Sequence, residues 1–146
     1  MNPSDASTST TMPERAWPEV ARPDGRHLAF PFRIGPDGRT ATPADLSDHV
    51  RGEIIQLLLT APGERPFLPG FGAGLRRLVF QRNDDATAGI TKALVSRNLS
   101  RWLGHRVSVQ ALDVSAEDAT LRVDLRYEVV ATGEVKQVRF ERQGAL

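Results

Sequence analysis

The chain contains no cysteine, which excludes disulfides, thiolate catalysis and cysteine-based zinc sites. Its three histidines, His27, His49 and His105, are scattered without a pair at helical ligand spacing, so neither a histidine metal site nor any cofactor is expected. Lysine is scarce as well: Lys92 and Lys136 are the only two, and arginine carries the rest of the basic charge. GC-rich coding accounts for that bias, and a preference for bidentate interface pairs is the sharper reading. With a formal net charge of +1, there is no strong electrostatic case for nucleic acid. No apolar run exceeds three residues, as in Leu57-Leu58-Leu59, far too short to cross a bilayer, so membrane insertion is not expected. The N-terminus has neither the basic segment nor the apolar stretch of a signal peptide, and the expected folding compartment is the cytoplasm.

What is present fits one domain with a tail in 146 residues, enough to bury a core without staples. Residues 1–24 are Ser, Thr, Pro and charge with one aromatic, Trp17. This composition reads as a disordered or extended arm, with Trp17 as a docking anchor or a residue tucked on its own domain. Residues 25–146 are read as the folded unit. Leu28, Phe30, Phe32 and Ile34 alternate with Ala29, Pro31 and Arg33, which predicts a strand near a sheet edge. Thr42-Pro43-Ala44-Asp45 reads as a helix start, and Leu46, Val50, Ile54, Leu57 and Leu58 share one face of a helix over 43–60. Leu75, Leu78, Val79 and Phe80 suggest a short helical turn. Asp84 or Asp85 then caps a helix with the stripe Ile90, Leu94, Val95, Leu99, Trp102 and Leu103, ended by Gly104. Its charges are Lys92, Arg97 and Arg101, with no acidic residue among them.

The rest reads as β. A first strand opens at Val107 and Val109 and ends near Val114, a turn follows over 115–119, and Leu121, Val123, Leu125, Tyr127 and Val129 alternate with charge. After a turn at Ala131–Glu134, Val138 and Phe140 are in phase but Val135 is not, which predicts a bulge near Lys136 or Gln137. The expected fold class is α+β: a small mixed, mostly antiparallel sheet, built from the N-terminal strand and a C-terminal three-stranded meander, packed on two main helices.

Between the helices lies the most informative stretch, Thr60 to Leu75, with three Pro and four Gly in sixteen residues. It is too constrained for helix or strand, yet it carries Phe67, Leu68, Phe71 and Leu75, and so reads as a packed corner holding the charge pair Glu64 and Arg65. As chemistry it offers little. Glycosidase work needs two carboxylates about 5 to 9.5 Å apart across a cleft. Of Glu53, Glu64, Asp84 and Asp85, the first reads as a solvated face and the last two as caps. Glu64 has Arg65 beside it, which favours the ionised form and suits a general acid poorly. Gly70-Phe71-Gly72-Ala73-Gly74 follows a Pro-rich loop rather than a strand and lacks the Lys-Ser/Thr ending of a phosphate-binding loop. Its glycines are better explained by close backbone packing and positive φ. The binding features are the charged faces and open edges of the terminal hairpin, suited to strand addition, and the acid-free helix. Edge charges that protect against pairing are the plainer account.

Leu59-Thr60-Ala61-Pro62-Gly63-Glu64-Arg65, followed by Pro69-Gly70-Phe71-Gly72-Ala73-Gly74-Leu75 and Leu78-Val79-Phe80, resembles the signature of the GPW family of contractile tails, the baseplate wedge or sheath initiator proteins. Leu28-Ala29-Phe30-Pro31-Phe32 and the order of elements fit it too, over about residues 27 to 142. The resemblance implies a non-enzymatic structural protein of phage tails, type VI secretion baseplates or extracellular injection particles. Its implied partners are the sheath subunit and the wedge proteins, with tube or spike hub proteins beyond them, and the implied stoichiometry is six copies per particle. Assembly would begin in the cytoplasm and end in the baseplate. The family's strands offer a template for inter-subunit strand exchange, which makes the hairpin from Leu121 to Arg142 the sheath-contact candidate, with Arg122, Arg126, Glu128, Val138 and Phe140 on it. Many members carry Glu-Pro-Arg before the first meander strand, where this chain has Gly104-His105-Arg106. That leaves Arg106 as the wedge-contact candidate, with Glu64 and Arg65 at the corner. Some relatives are labelled lysozyme-like, so a murein hydrolase using Glu64 is one alternative and a free-standing strand-addition adaptor is another.

Overall fold

The computed structural model describes residues 27–78, 85–117 and 120–143. The arm at 1–24 with Trp17, the Val79-Phe80 end of the short helix, Asp84 and the Asp118-Ala119 turn lie outside them, as does the side chain of Asp85. Three helices precede three strands: α1 (Leu46–Leu59), α2 (Leu75–Leu78), α3 (Asp85–Leu103), β1 (Val107–Glu117), β2 (Thr120–Val129) and β3 (Glu134–Gln143). The strands form one antiparallel sheet in the order β1-β2-β3. The α+β class and the meander are therefore as expected.

The N-terminal strand is not. Residues 28–34 pair with their own continuation through one isolated bridge, Ile34 with Thr40, and join no sheet among the described residues. Ala29 N donates to Ala41 O and Ala41 N to Arg33 O, closing a small loop; the Phe30–Pro31 peptide is cis. The side chains predicted to be buried, Leu28, Phe32 and Ile34, are more than half exposed, whereas Ala29 is buried. The segment lies on α1 instead, where a Cβ placed on Gly52 would stand 3.4 Å from Phe30 Cβ. An alternating pattern needs a sheet to sit on, and here the nearest surface is a helix.

The α1 stripe is correct: Val50, Ile54, Leu57 and Leu58 are buried. Its start is Asp45 rather than Thr42, with Asp45 Oδ1 accepting from Asp48 N at 2.7 Å. In α3 the inward line is Thr91, Val95, Asn98, Leu99 and Leu103, while Ile90 is left 65% exposed. Thr91 and Asn98 tolerate burial because Thr91 Oγ1 donates to Thr87 O and Asn98 Nδ2 to Leu94 O. The sheet lays Val107, Val123, Leu125, Tyr127, Val129 and Val138 against these helices. The bulge falls in β1, between Val109 and Ala111, while β2 and β3 pair without a break from Thr120–Gln143 to Val129–Glu134. Val135 simply faces outward, and the inward positions it seemed to miss are held by Glu134 and Lys136. Ser47 of α1 donates its hydroxyl to the Glu134 carboxylate, which Lys136 also meets at 3.4 Å. Ser47 first, and then Lys136, holds that carboxyl below its ordinary range.

The corner after α1 folds back to satisfy the helix end. Ala73 N donates to Leu57 O and Gly74 N to Thr60 O, both at 2.8 Å, filling C-terminal carbonyls that a helix leaves open. Gly72 passes so close, at φ +111, that a Cβ on it would stand 2.1 Å from Thr60 O. Gly63 also has positive φ, but nothing lies within 4 Å of its Cβ position. Gly72→Ala should therefore cost about 3 kcal/mol or more and Gly63→Ala about 1 kcal/mol, read as shifts of the denaturation midpoint at constant slope. Equal losses would show that backbone conformation alone, and not the contact with Thr60, makes Gly72 necessary.

Candidate partner-binding surfaces

Glu64 and Arg65 sit where the corner turns, but they do not pair with each other. Glu64 Oε2 accepts from Ala61 N at 3.0 Å, closing the turn whose backbone bond runs from Glu64 N to Ala61 O. Arg65 Nη2 donates to Gln56 Oε1 of α1 at 2.9 Å, and its guanidinium lies 4.2 Å over the Phe71 ring. Phe71 in turn meets Trp102 of α3 edge-on at 5.5 Å. Gly63 N to Pro69 O, Leu68 N to Arg65 O and Phe71 N to Leu68 O complete a loop bonded to itself. The pair read from sequence as one charged unit thus performs two internal tasks, and both hold the elbow. Leu75 is buried, Phe71 and Leu68 half-buried, and Phe67 stands 94% exposed.

Arg106 occupies the turn between α3 and β1. Its Nη1 donates to both carboxylate oxygens of Glu53 on α1, at 3.1 and 3.2 Å, and its Nε to His105 Nε2 at 3.2 Å. Its backbone carbonyl accepts from Val130 N, so the same residue ties the start of β1 to the β2–β3 turn. Glu53, read from sequence as a solvated position, is thus the carboxylate partner of Arg106. The signal was its place one turn after His49 on α1, but only the folded chain brings a residue 53 positions away to meet it. His49 Nε2 lies 3.3 Å from Glu53 Oε1 without hydrogen-bond geometry, and its ring stacks on His27 at 4.2 Å. Burial holds the His49 imidazole below the usual histidine range, with Glu53 opposing.

The hairpin candidates divide between two faces. Val138 is buried and Phe140 packs at the core margin; both hold the hairpin to the body, and Val138 is not on offer to a partner in this fold. Arg122, Arg126 and Glu128 lie on the outer face, since the alternate residues of β2 point inward. Arg122 pairs with Glu141 at 2.8 Å and Arg139 with Asp124 at 2.6 Å across the strands, while Gln110 Nε2 donates to Glu128 at 3.1 Å. Arg126 has no side-chain partner among the described residues. Because β2 is central, the outer edges of β1 and β3 carry no further strand among the described residues.

Glu64 is tied to a backbone N–H and borders neither the hollow lined by Ser115, Glu117, Thr120 and Arg122 nor the one beside Phe30 and His49. The hollow that holds two carboxylates, Asp48 and Glu53, with His49 and Phe30, measures about 30 Å³, room for about one or two waters. The described residues contain no group of His, Cys, Asp or Glu that could hold a metal ion, and no helix long and apolar enough to cross a membrane.

A family model described as baseplate wedge protein gp25 matches residues 44–134, from the α1 cap through the start of β3. A candidate tail lysozyme from Geobacter sulfurreducens has a similar solved structure, with TM-score 0.60 and 24% identity over 70% of this chain and 95% of that one. The anti-feeding prophage baseplate, 6-fold symmetrised, contains a chain with TM-score 0.53 and 17% identity over 82% of this chain and 86% of that one. At these identities both likenesses are of fold alone. No curated protein matches in sequence.

Two measurements check the Arg106 cluster. A double-mutant cycle of Glu53→Ala and Arg106→Ala should return a coupling of about 1 kcal/mol, the upper range for a pair still partly exposed. His49 sets a pH dependence: the unfolded chain takes up its proton near 6.5 and the folded chain only at lower pH. Stability is therefore full above that value and falls as pH drops through it. The melting temperature should decline between about pH 7.5 and 5.5, and His49→Asn should flatten the decline; an unchanged slope would refute the assignment.

Proposed function

The chain belongs to the baseplate wedge protein gp25 family, and from that premise we propose that it is a structural, non-catalytic baseplate subunit of a contractile injection machine. In this reading it joins wedge proteins to the first sheath ring and initiates sheath assembly by strand exchange. Residues 25–146 act as the wedge domain and 1–24 as an arm; six copies serve each particle, assembled in the cytoplasm before taking their place in the baseplate.

The observation that carries the reading is the bare meander. Three paired strands keep one face on the helices and leave the other to solvent, with outer edges that hold no further strand among the described residues. A strand added at such an edge gains main-chain hydrogen bonds, and the alternating charges beside it select the partner. β3, the end of the hairpin, pairs with β2 over ten residues without a shift, so its outer edge is regular. β1 carries a bulge, a feature that discourages pairing. The rigid elbow around Glu64 and Arg65 and the Arg106–Glu53 pair fix the helices behind the sheet, on the side assigned to the wedge proteins.

Deleting β3 would remove Val138 and Phe140 from the core and fail by unfolding, so the informative variants are on the surface. Arg126→Glu with Val135→Asp should lower the melting temperature by no more than a few degrees, since both positions are exposed. Co-expressed with sheath and wedge proteins, the pair should lower sheathed-particle yield sharply, and Arg106→Glu should weaken wedge capture. Normal particles from both would contradict the assigned contacts. Clearing of purified cell wall by the unmutated protein would contradict the non-catalytic reading.

A further inference from the structure

Four cations on the sheet and at the α3–β1 turn are paired: Arg122 with Glu141, Arg139 with Asp124, Lys136 with Glu134, and Arg106 with Glu53; Arg126 on the sheet has no such partner among the described residues. On α3, Arg97 and Arg101 are exposed and neither has an ion-pair partner among the described residues. Arg101 is held against the Trp102 ring at 5.1 Å, which positions its guanidinium without neutralising it. No acidic residue follows Asp85 anywhere in the helix.

An apolar residue stands in the same line. Ile90, Arg97 and Arg101 are spaced i, i+7 and i+11, which places them along one side of a helix, with Ala93 between. Ile90 is 65% exposed because Thr91 takes the inward position it was expected to fill. Ala93 and Ser100 are exposed beside this line and too short to cover it. Lys92 stands at the opposite margin of the outer face.

We propose that this side of α3 docks an acidic amphipathic segment of a neighbouring protein subunit. Apolar side chains of that segment would rest on Ile90 and Ala93, and its carboxylates would meet Arg97 and Arg101. Charge complementarity chooses the occupant. Two guanidiniums at fixed spacing with no anion of their own match carboxylates one helical turn apart, and planar guanidiniums pair with carboxylates bidentately. A membrane surface or a nucleic acid asks for a broader basic field than two arginines on a chain of net charge +1 supply. The assignment rests on the reading of the chain as an assembly subunit, but concerns a different face from the sheet.

The experiment uses the full chain co-expressed with its neighbouring baseplate subunits. The photoreactive residue p-benzoylphenylalanine replaces Ala93, and the assembled complex is irradiated. The expected result is a single adduct, mapped by mass spectrometry to an acidic helical segment of another subunit. Arg97→Glu with Arg101→Glu should lower co-purification of that subunit about tenfold at moderate salt, and Ile90→Asp should do so with weaker salt dependence. Circular dichroism should remain unchanged in all three, since the positions are exposed. Adducts only to a second copy of this chain, to lipid or to nucleic acid would overturn the proposal, as would unchanged co-purification of the double variant. If the α3 variants assemble normally while the Arg126 and Val135 variants lose sheath, this inference falls and the proposed function stands. If the unmutated protein fails to assemble with sheath and wedge proteins, the functional reading itself is refuted.

Discussion

The return of the corner onto the end of α1 is the constraint on which the rest of the structure depends. Leu57 O and Thr60 O accept from Ala73 and Gly74, so the chain must come back to the helix it has just left. Only then can Leu75 enter the core and α3 begin on the correct side of α1. Gly72 is the narrowest point, since a side chain there would occupy the space of the Thr60 carbonyl oxygen. Glu64 and Arg65 serve the same closure from outside, one by accepting from Ala61 N and the other by bracing Gln56 and Phe71. The bonds are individually ordinary, each contributing about 1 kcal/mol net. Their joint effect is geometric: they convert a Pro/Gly segment into a fixed elbow between α1 and α2.

Much of this was legible because local rules and tertiary demands agree. The α1 stripe of Val50, Ile54, Leu57 and Leu58, the alternation of β2, and the glycines of the corner each follow from periodicity or backbone freedom, and each appears as expected. Where the reading failed, a neighbour decided. Leu28 to Ile34 has strand periodicity but found α1 rather than a sheet, so Ala29 is inside and Phe32 outside. Val135 was read as out of phase on the assumption that apolar residues face inward. In fact Glu134 and Lys136 take the inward positions at the open end of the sheet, where Ser47 is available to the Glu134 carboxylate. The Asp118-Ala119 turn and the Val79-Phe80 turn lie outside the described residues and test nothing.

The candidate site was less legible, because its members meet across long separations. Arg106 could be singled out from its position before β1, but not its partner on α1. Locally Glu53 is marked only by His49 one turn before it, which says nothing of an arginine 53 positions away. For Val138 and Phe140 the resemblance implied a contact role on the hairpin, while the pleat buries Val138 and sets Phe140, half-buried, at the core margin. Exposure separates the two kinds of residue, and exposure is a property of the packed chain rather than of any window of it.

The distribution of charge and concavity argues for what kind of protein this is. A catalyst concentrates unpaired, desolvated groups in a cleft that a substrate can enter. Here the half-buried charges, Glu53 and Arg106, satisfy each other beside a hollow with room for about one or two waters. Among the described residues the buried polar atoms left without a hydrogen bond are His49 Nε2, Trp102 Nε1 and Tyr127 OH, while arginines without an ion-pair partner stand on open surfaces, Arg126 on the sheet and Arg97 and Arg101 on the outer side of α3. These surfaces point away from each other, because the sheet turns one face to the helices and the helices turn their own backs to solvent. In the proposed assembly such a body would hold two partners apart, and the corner bonded back onto α1 would keep one side of that spacing fixed. In that reading the rigidity of the elbow and the placement of unpaired charge are two parts of one arrangement, in which the core orients the surfaces offered to partners.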